Sequence, residues 1–315
     1  MTGEFDLIAR IASALPADRK DVVTGPGDDA ALLRPPRTGL LVQTVDTCVA
    51  GVHFPEDLDP EDVGWRCLAV NLSDLAAMGA DPAWALLSVT LPQGDAGWVD
   101  AFVRGFGALA AETGTSLVGG DMSRGPCSVT VALSGFVPAR QALMRSGARP
   151  GDGIWITGPL GAGAGGLAAW RAGDREAARA FLRPQPRLAE GRALRGVASA
   201  AIDISDGLAA DLGHILEASG VGARVRLEAL PLAAAARRGG ADAGLKMALH
   251  GGDDYQLCFT VPRAAEPELK KACVDWPVTP SRIGEIREAP GLVVELLGRE
   301  IQVGTGGWDH FRSRR

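Results

Sequence analysis

The chain has 315 residues, 46% of them hydrophobic and 22% charged, with a formal net charge of −6. That length suits about two domains and buries roughly three-quarters of the unfolded surface without disulfide staples. The composition excludes a collagen-like, coiled-coil or disordered chain, and the acidic balance argues against a general nucleic-acid binder.

Apolar periodicity alternates between strand-like and helix-like runs, the pattern of an α/β (α+β) protein. In chain order, residues 38–47 (TGLLVQTVDT) predict a strand and 64–79 a helix with a polar break at Asn71–Asp74. A strand follows at 84–92, an amphipathic helix ended by Gly at 97–114, and strands at 116–123 and 128–138. Residues 145–152 (RSGARPGD) are dense in turn formers and predict a domain junction, which divides the chain into an N-terminal domain at 1–140 and a C-terminal α/β domain at 150–315. Beyond it come a strand at 153–158, a helical stretch reaching Val197, a strand at 200–205, a helix at 207–220, a strand at 255–262 and a strand-rich segment from Gly291. NLSDLAA (71–77) and DISDGLAA (203–210) both place Ser-Asp where a helix is expected to begin.

No apolar run reaches the about 18 residues of a membrane span. The N-terminal MTGEFDLIAR carries Glu4 and Asp6 and lacks the basic-then-apolar layout of a secretory leader, so none is expected. The five cysteines (Cys48, Cys67, Cys127, Cys258 and Cys273) fit no CxxC site and predict reduced thiols in a cytoplasmic protein.

A Walker-type loop is excluded because no Lys follows a Gly, and protein-kinase signatures are absent. Gly161–Gly166 does match G-x-G-x-x-G after a strand. A dinucleotide fold would need a strand ending in Asp or Glu about 20 residues later, and residues 174–182 look helical instead. That leaves a glycine loop approaching a phosphate, or a plain tight turn.

More informative is a scatter of aspartates near predicted strand ends and helix starts: Asp28, Asp29, Asp46, Asp74, Asp121, Asp203 and Asp206. Singly, each is explained as a turn or cap. Converging, they would repel one another unless cations neutralised them. Mg²⁺ suits such a site, since it takes a few carboxylates together with substrate phosphates. With only four Lys in the chain, a phosphate grip falls to Arg, and Arg145 is the candidate. His53 reads as a core histidine or a substrate hydrogen-bond donor, and Trp308 as a loop tip or a stacking platform.

The order of GPGDDAA (25–31), VDTCVAGVHF (45–54), NLSDLAAMGADP (71–82), GGD (119–121), RSGARPGD, DISDGLAADLGHI (203–215), GGDDYQLCFT (251–260) and GGWDHF (306–311) resembles the bacterial thiamine-monophosphate kinases, of the aminoimidazole ribonucleotide synthetase superfamily. The resemblance runs over nearly the whole chain. It implies two α/β domains, a homodimer formed through the N-terminal domains, and ATP bound in a cleft that the C-terminal domain completes. It further implies direct in-line transfer of the γ-phosphoryl group of ATP to thiamine monophosphate, assisted by several Mg²⁺ ions and without a protein nucleophile. By matching position, Asp29, Thr44, Asp46, Asp74, Asp121, Asp203 and Asp206 are the implied metal ligands. Gly120, Asp121, Arg145 and Ser205 are the implied ATP contacts, and His53, Asp253 and Trp308 the implied substrate contacts. No nucleic acid or membrane partner is implied.

Two departures stand out. The family usually reads GGEDYEL where this chain has GGDDYQL, so Asp253 is one methylene shorter than the expected Glu. Val45 replaces a hydroxyl residue that often precedes the Asp, so a metal contact there would use backbone oxygen. Among sister enzymes, a selenophosphate synthetase would carry an N-terminal Cys/Lys pair and a hydrogenase-maturation relative a Cys-bearing tail; this chain has neither. A catalytically silent nucleotide sensor is the rival of a different class, and the nearly complete aspartate set speaks against it.

Overall fold

The computed structural model describes residues 3–15 and 19–301. They group into two compact units. The first holds the described residues up to Leu75 together with Ala80–Arg140, the second Ala76–Gly79 and the described residues from Gln141 on.

In the first unit the chain runs through α1 (Glu4–Ala14), β1 (Val22–Thr24), β2 (Leu32–Leu33), β3 (Leu40–Val49), α2 (Pro60–Ala77), β4 (Asp81–Leu91), α3 (Ala96–Thr113), β5 (Ser116–Arg124) and β6 (Ser128–Val137). β1 and β2 form a small antiparallel pair, and the other strands a four-stranded sheet in the order β3-β6-β4-β5. β4 and β5 pair in parallel, the other neighbours antiparallel.

The sheet's two faces differ. The row Asp46–Val131–Leu87–Gly120 and its inward neighbours lie on the buried side, where Leu87, Val89, Val131 and Leu133 are almost solvent-free. Leu68, Leu72 and Leu75 of α2 and Phe102 and Phe106 of α3 are equally buried. The alternate row, Val45–Ala132–Leu86, faces the other way, and Val45 and Leu86 stay 61% and 48% exposed. α3 is capped as its sequence requires: the Asp95 side chain accepts from the Trp98 N–H, and Gly114 ends the helix in the left-handed region.

The second unit contains β7 (Gly153–Ile156), α4 (Ala162–Arg171), α5 (Arg179–Leu182), α6 (Leu188–Ala193), β8 (Ala200–Asp203), α7 (Leu208–Ser219), β9 (Gly222–Arg226), α8 (Ala234–Arg237), α9 (Ala241–His250), β10 (Leu257–Val261), α10 (Glu266–Ala272), β11 (Ser281–Arg287), β12 (Gly291–Leu296) and β13 (Arg299–Ile301). Its strands form one seven-stranded mixed sheet, β13-β12-β9-β11-β7-β10-β8. Ile154, Ile156, Ile202, Cys258 and Ile283 from the sheet and Leu208, Leu212 and Ile215 from α7 make its core.

Three sequence expectations change here. Asn71–Asp74 does not break the helix, because α2 continues to Ala77. Asn71 is fully buried yet satisfied: its amide donates to the Cys67 carbonyl one turn back (3.0 Å), and its oxygen accepts the Asp46 N–H (3.1 Å). Ser73-Asp74 therefore lies near the end of a helix, whereas Ser205-Asp206 precedes one, and the apparent echo between the two segments has no structural counterpart. The helical stretch to Val197 is three helices, interrupted by the turn at Gly173 (φ +82°) and by Pro184 and Pro186.

Candidate functional site

Strand periodicity sorts the candidates of the first unit. Successive residues of β3 alternate faces, so Thr44 and Asp46 turn inward and Val45 outward. The Thr44 hydroxyl donates to Oδ2 of Asp74 on α2 at 2.5 Å. Asp46 sits one strand step further along, tied to α2 through its N–H and Asn71. The structure thus brings Thr44, Asp46 and Asp74 to one strand–helix seam, half-buried and lined by oxygen. His53 follows in the turn after β3, where its Nδ1 accepts the Val49 N–H at 3.0 Å and its own N–H donates to the Val49 carbonyl. With Nδ1 an acceptor, a neutral His53 carries its proton on Nε2.

Two further expected members of the set lie on other elements. Asp29 lies in the exposed segment between β1 and β2, its N–H bonded to the Asp28 side chain (2.8 Å). Asp121 is not at a strand-to-helix turn but inside β5, which pairs it with Ser88 in the outward-facing row. Its Oδ2 accepts from Ser123 Oγ at 3.1 Å. Asp121 and Asp46 are therefore on opposite faces of the sheet and on its two edge strands. Gly120 is fixed by packing, since a Cβ there would fall 1.9 Å from the Leu87 carbonyl oxygen.

In the second unit β8 ends at the buried Asp203, and Ser205 and Asp206 occupy the loop into α7. That loop is held by Asp211, whose Oδ2 accepts the N–H groups of Ser205 (3.1 Å) and Asp206 (3.0 Å). Burial outweighs these donors and pushes the Asp211 carboxyl up to about 7. The segment 252–256 is stitched alongside: Asp253 N–H to the Ser205 carbonyl, Tyr255 N–H to the Ile204 carbonyl, and Ile204 N–H to the Gln256 carbonyl, all within 2.9 Å. Asp253 has φ +68° and its carboxylate accepts the Tyr255 hydroxyl at 2.8 Å. Arg145 is exposed, and its carbonyl accepts from Ser219 Oγ, which also receives the Gly147 and Ala148 N–H groups. Trp308 lies outside the described residues.

Asp211 and Asp254 escape a sequence reading that looks for exposed ligands. Asp254 is only 5% exposed, and its two oxygens accept the N–H groups of Gly161 (2.7 Å) and Gly163 (3.0 Å) at the start of α4. The G-x-G-x-x-G turn is thereby accounted for. It is a tight turn whose donors go to a carboxylate of the same chain, and a Cβ on Gly163 would meet the Gly252 carbonyl at 2.4 Å. Burial pushes the Asp254 carboxyl up to about 7, against these backbone donors.

Among the described residues no three His, Cys, Asp or Glu side chains come together as a ready-made metal cage. The donor chemistry nevertheless suits a hard cation. Thr44, Asp46 and Asp74 offer oxygen alone, and Mg²⁺ needs only one or two carboxylates when phosphate and water complete its shell.

Comparison with known proteins settles the family. Residues 27–137 match the family model "AIR synthase related protein, N-terminal domain", and 149–296 the corresponding C-terminal domain. The thiamine-monophosphate kinase of Salmonella typhimurium is 47% identical over 321 residues, covering 99% of both chains. The chain belongs to the thiamine-monophosphate kinase family.

More distant members keep the same span, the Aquifex aeolicus enzyme being 33% identical over 98% of each chain. Among solved structures, the thiamine-monophosphate kinase of Stenotrophomonas maltophilia superposes with a TM-score of 0.86 at 44% identity, covering 94% of this chain and 96% of that one. A second, described as "AaThiL complexed with AMPPCP and TMP", gives 0.78 at 31% identity, covering 98% and 97%. The hydrogenase maturation protein HypE of E. coli shares the fold, with a TM-score of 0.78 at 20% identity.

Proposed function

We propose that this chain performs its family's reaction, ATP-dependent phosphorylation of thiamine monophosphate to thiamine diphosphate, by direct in-line transfer assisted by Mg²⁺. The kinase activity rests on full-length identity of 47% to a thiamine-monophosphate kinase and on the likeness to a relative complexed with AMPPCP and TMP. The carrying observation in the structure is the Thr44–Asp74 contact beside Asp46, an oxygen-only seam.

Residue roles follow as proposals. Asp29, Thr44, Asp46, Asp74, Asp121, Asp203 and Asp206 would hold Mg²⁺; Gly120, Asp121, Arg145 and Ser205 would contact ATP; His53, Asp253 and Trp308 would contact thiamine monophosphate. When bound, Mg²⁺ would offset the charge of the two anionic reactants, thiamine monophosphate and the triphosphate being cleaved. Thr44 holds the Asp74 carboxylate and Asn71 the Asp46 backbone, so the Asp74 carboxylate is set before substrate arrives. His53 is held in place through Nδ1, which accepts the Val49 N–H. Since a phosphate oxygen is the nucleophile, positioning rather than proton abstraction carries the rate.

The N-terminal domain 1–140 would carry most metal ligands and a homodimer contact, for which the exposed Val45–Leu86 face is the candidate. A cytoplasmic location suits five unbridged cysteines, and among the described residues no helix is long and apolar enough to cross a membrane.

The decisive experiment compares ADP release from Mg-ATP with thiamine monophosphate, free thiamine and no acceptor, reading thiamine diphosphate as its fluorescent oxidation product. Release that requires thiamine monophosphate and matches thiamine diphosphate is expected. ATP binding without turnover would favour the sensor reading.

A further inference from the structure

The second unit contains a buried carboxylate that the reaction does not consume, between two residues in an unusual backbone conformation. Asp253 (φ +68°) and Tyr255 (φ +48°) both adopt the left-handed region, and neither is Gly. Residues other than Gly take up this region rarely, and keep it where the surrounding structure holds them there. Asp254 lies between the two and is almost fully buried. Its side chain reaches away from the loop and closes two hydrogen bonds onto Gly161 and Gly163. Gly163 and Gly252 have no side chains to keep the loop and the helix start apart, and Cβ atoms there would meet Gly252 and Ser205 carbonyl oxygens at 2.4 and 2.2 Å. On the other side the loop is stitched to residues 204–205. Held at both ends, it delivers the Asp253 carboxylate to Tyr255 Oη at 2.8 Å.

We propose that Asp254 is a positioning residue for the thiamine-phosphate substrate: anchored on the α4 N–H groups, it holds the strained 252–255 turn so that Asp253 is presented in one orientation. This inference rests on the substrate role proposed above for Asp253. It explains how a side chain one methylene shorter than the family's usual Glu is held in a single place. An aspartate in αL backbone, clamped by its neighbour's hydroxyl, does not search for its ligand.

The test is steady-state kinetics of the full chain at pH 8 with Mg-ATP, comparing wild type with Asp254→Asn, Asp254→Ser and Asp253→Ala. Asp254→Asn keeps the shape but turns an acceptor into an NH₂ group facing an N–H donor. KM for thiamine monophosphate is expected to rise roughly tenfold or more in Asp254→Asn, with KM for ATP unchanged within about twofold. Asp254→Ser, which restores one acceptor without the clashing NH₂, should recover part of that loss. Unchanged KM for thiamine monophosphate in a folded Asp254→Asn, alongside a raised KM in Asp253→Ala, overturns the positioning role alone. If Asp253→Ala leaves KM unchanged, the substrate role of Asp253 fails and the proposal with it. Loss of folded protein in both Asp254 variants would assign Asp254 to stability only and equally overturn the proposal.

Discussion

The Thr44 hydroxyl lies 2.5 Å from Oδ2 of Asp74, joining an edge strand to the end of a helix thirty residues later. Two consequences follow for substitution. Asp74→Asn keeps the contact geometry but removes the charge, and should lower kcat by roughly 100-fold or more with the circular-dichroism spectrum unchanged. Thr44→Val leaves the charge but frees the carboxylate to rotate. A smaller loss, about tenfold, with a raised Mg²⁺ requirement is expected from a metal titration of the rate. Wild-type turnover in Asp74→Asn would remove this seam from the active site.

Asp211 is a different kind of residue. It caps the 205–207 loop from within the first turn of α7, so its loss leaves two half-buried N–H groups without their acceptor. Asp211→Ala should cost about 1–3 kcal/mol on that account. Urea denaturation followed by fluorescence measures it, and a change below about 0.5 kcal/mol would mean that the loop is held elsewhere.

The Asp254 carboxyl rises from an ordinary 3.8 to about 7 because burial disfavours its charge. Between those values the folded protein holds a proton that the unfolded chain has released. Stability therefore falls as pH rises from about 4 to about 7 and levels off above, with a slope of at most about 1.4 kcal/mol per pH unit from this group. Asp211 shifts in the same direction, so Asp254→Asn should remove part of the slope rather than all of it. Urea midpoints taken from pH 5.8 to 8.0 in EDTA give the comparison, and identical slopes in wild type and variant would contradict the buried charge.

Val45 and Leu86 share an exposed row on the outward face of the four-stranded sheet. If that face joins two copies, a charge in the row should separate them. Leu86→Asp is expected to shift sedimentation from dimer to monomer at micromolar concentration, and an unaltered dimer would place the contact on another surface.

The alternation of β3, β4 and β6 and the amphipathic α3 with its Asp95 and Gly114 caps are legible in the sequence because each is long enough to show its period. β9 and β11 are not. Their five and seven residues, GARVR and SRIGEIR, are short and rich in Arg and Gly, and pairing with one another and with β12 and β7 makes them strands. Short β1, β2 and α8 carry no period at all. At the candidate site, Thr44 meets Asp74 across thirty residues of sequence and strand register puts Asp121 across the sheet from Asp46, neither of which a spacing rule reveals. Asp211 and Asp254 were hidden for the opposite reason. Their partners are backbone N–H groups, and a backbone donor has no letter in the sequence.

The glycine turn at 161–166 follows β7 and opens α4. It has the length, the small residues and the helix behind it that would cradle a phosphate, yet it is already filled from inside by Asp254. A catalyst that handles a triphosphate and a phosphate monoester together is exposed to misplacement, because any vacant cradle of amides would trap either one away from the other. Here the vacancy never opens. The Asp254 carboxyl lodged against those amides occupies the place an anion would take.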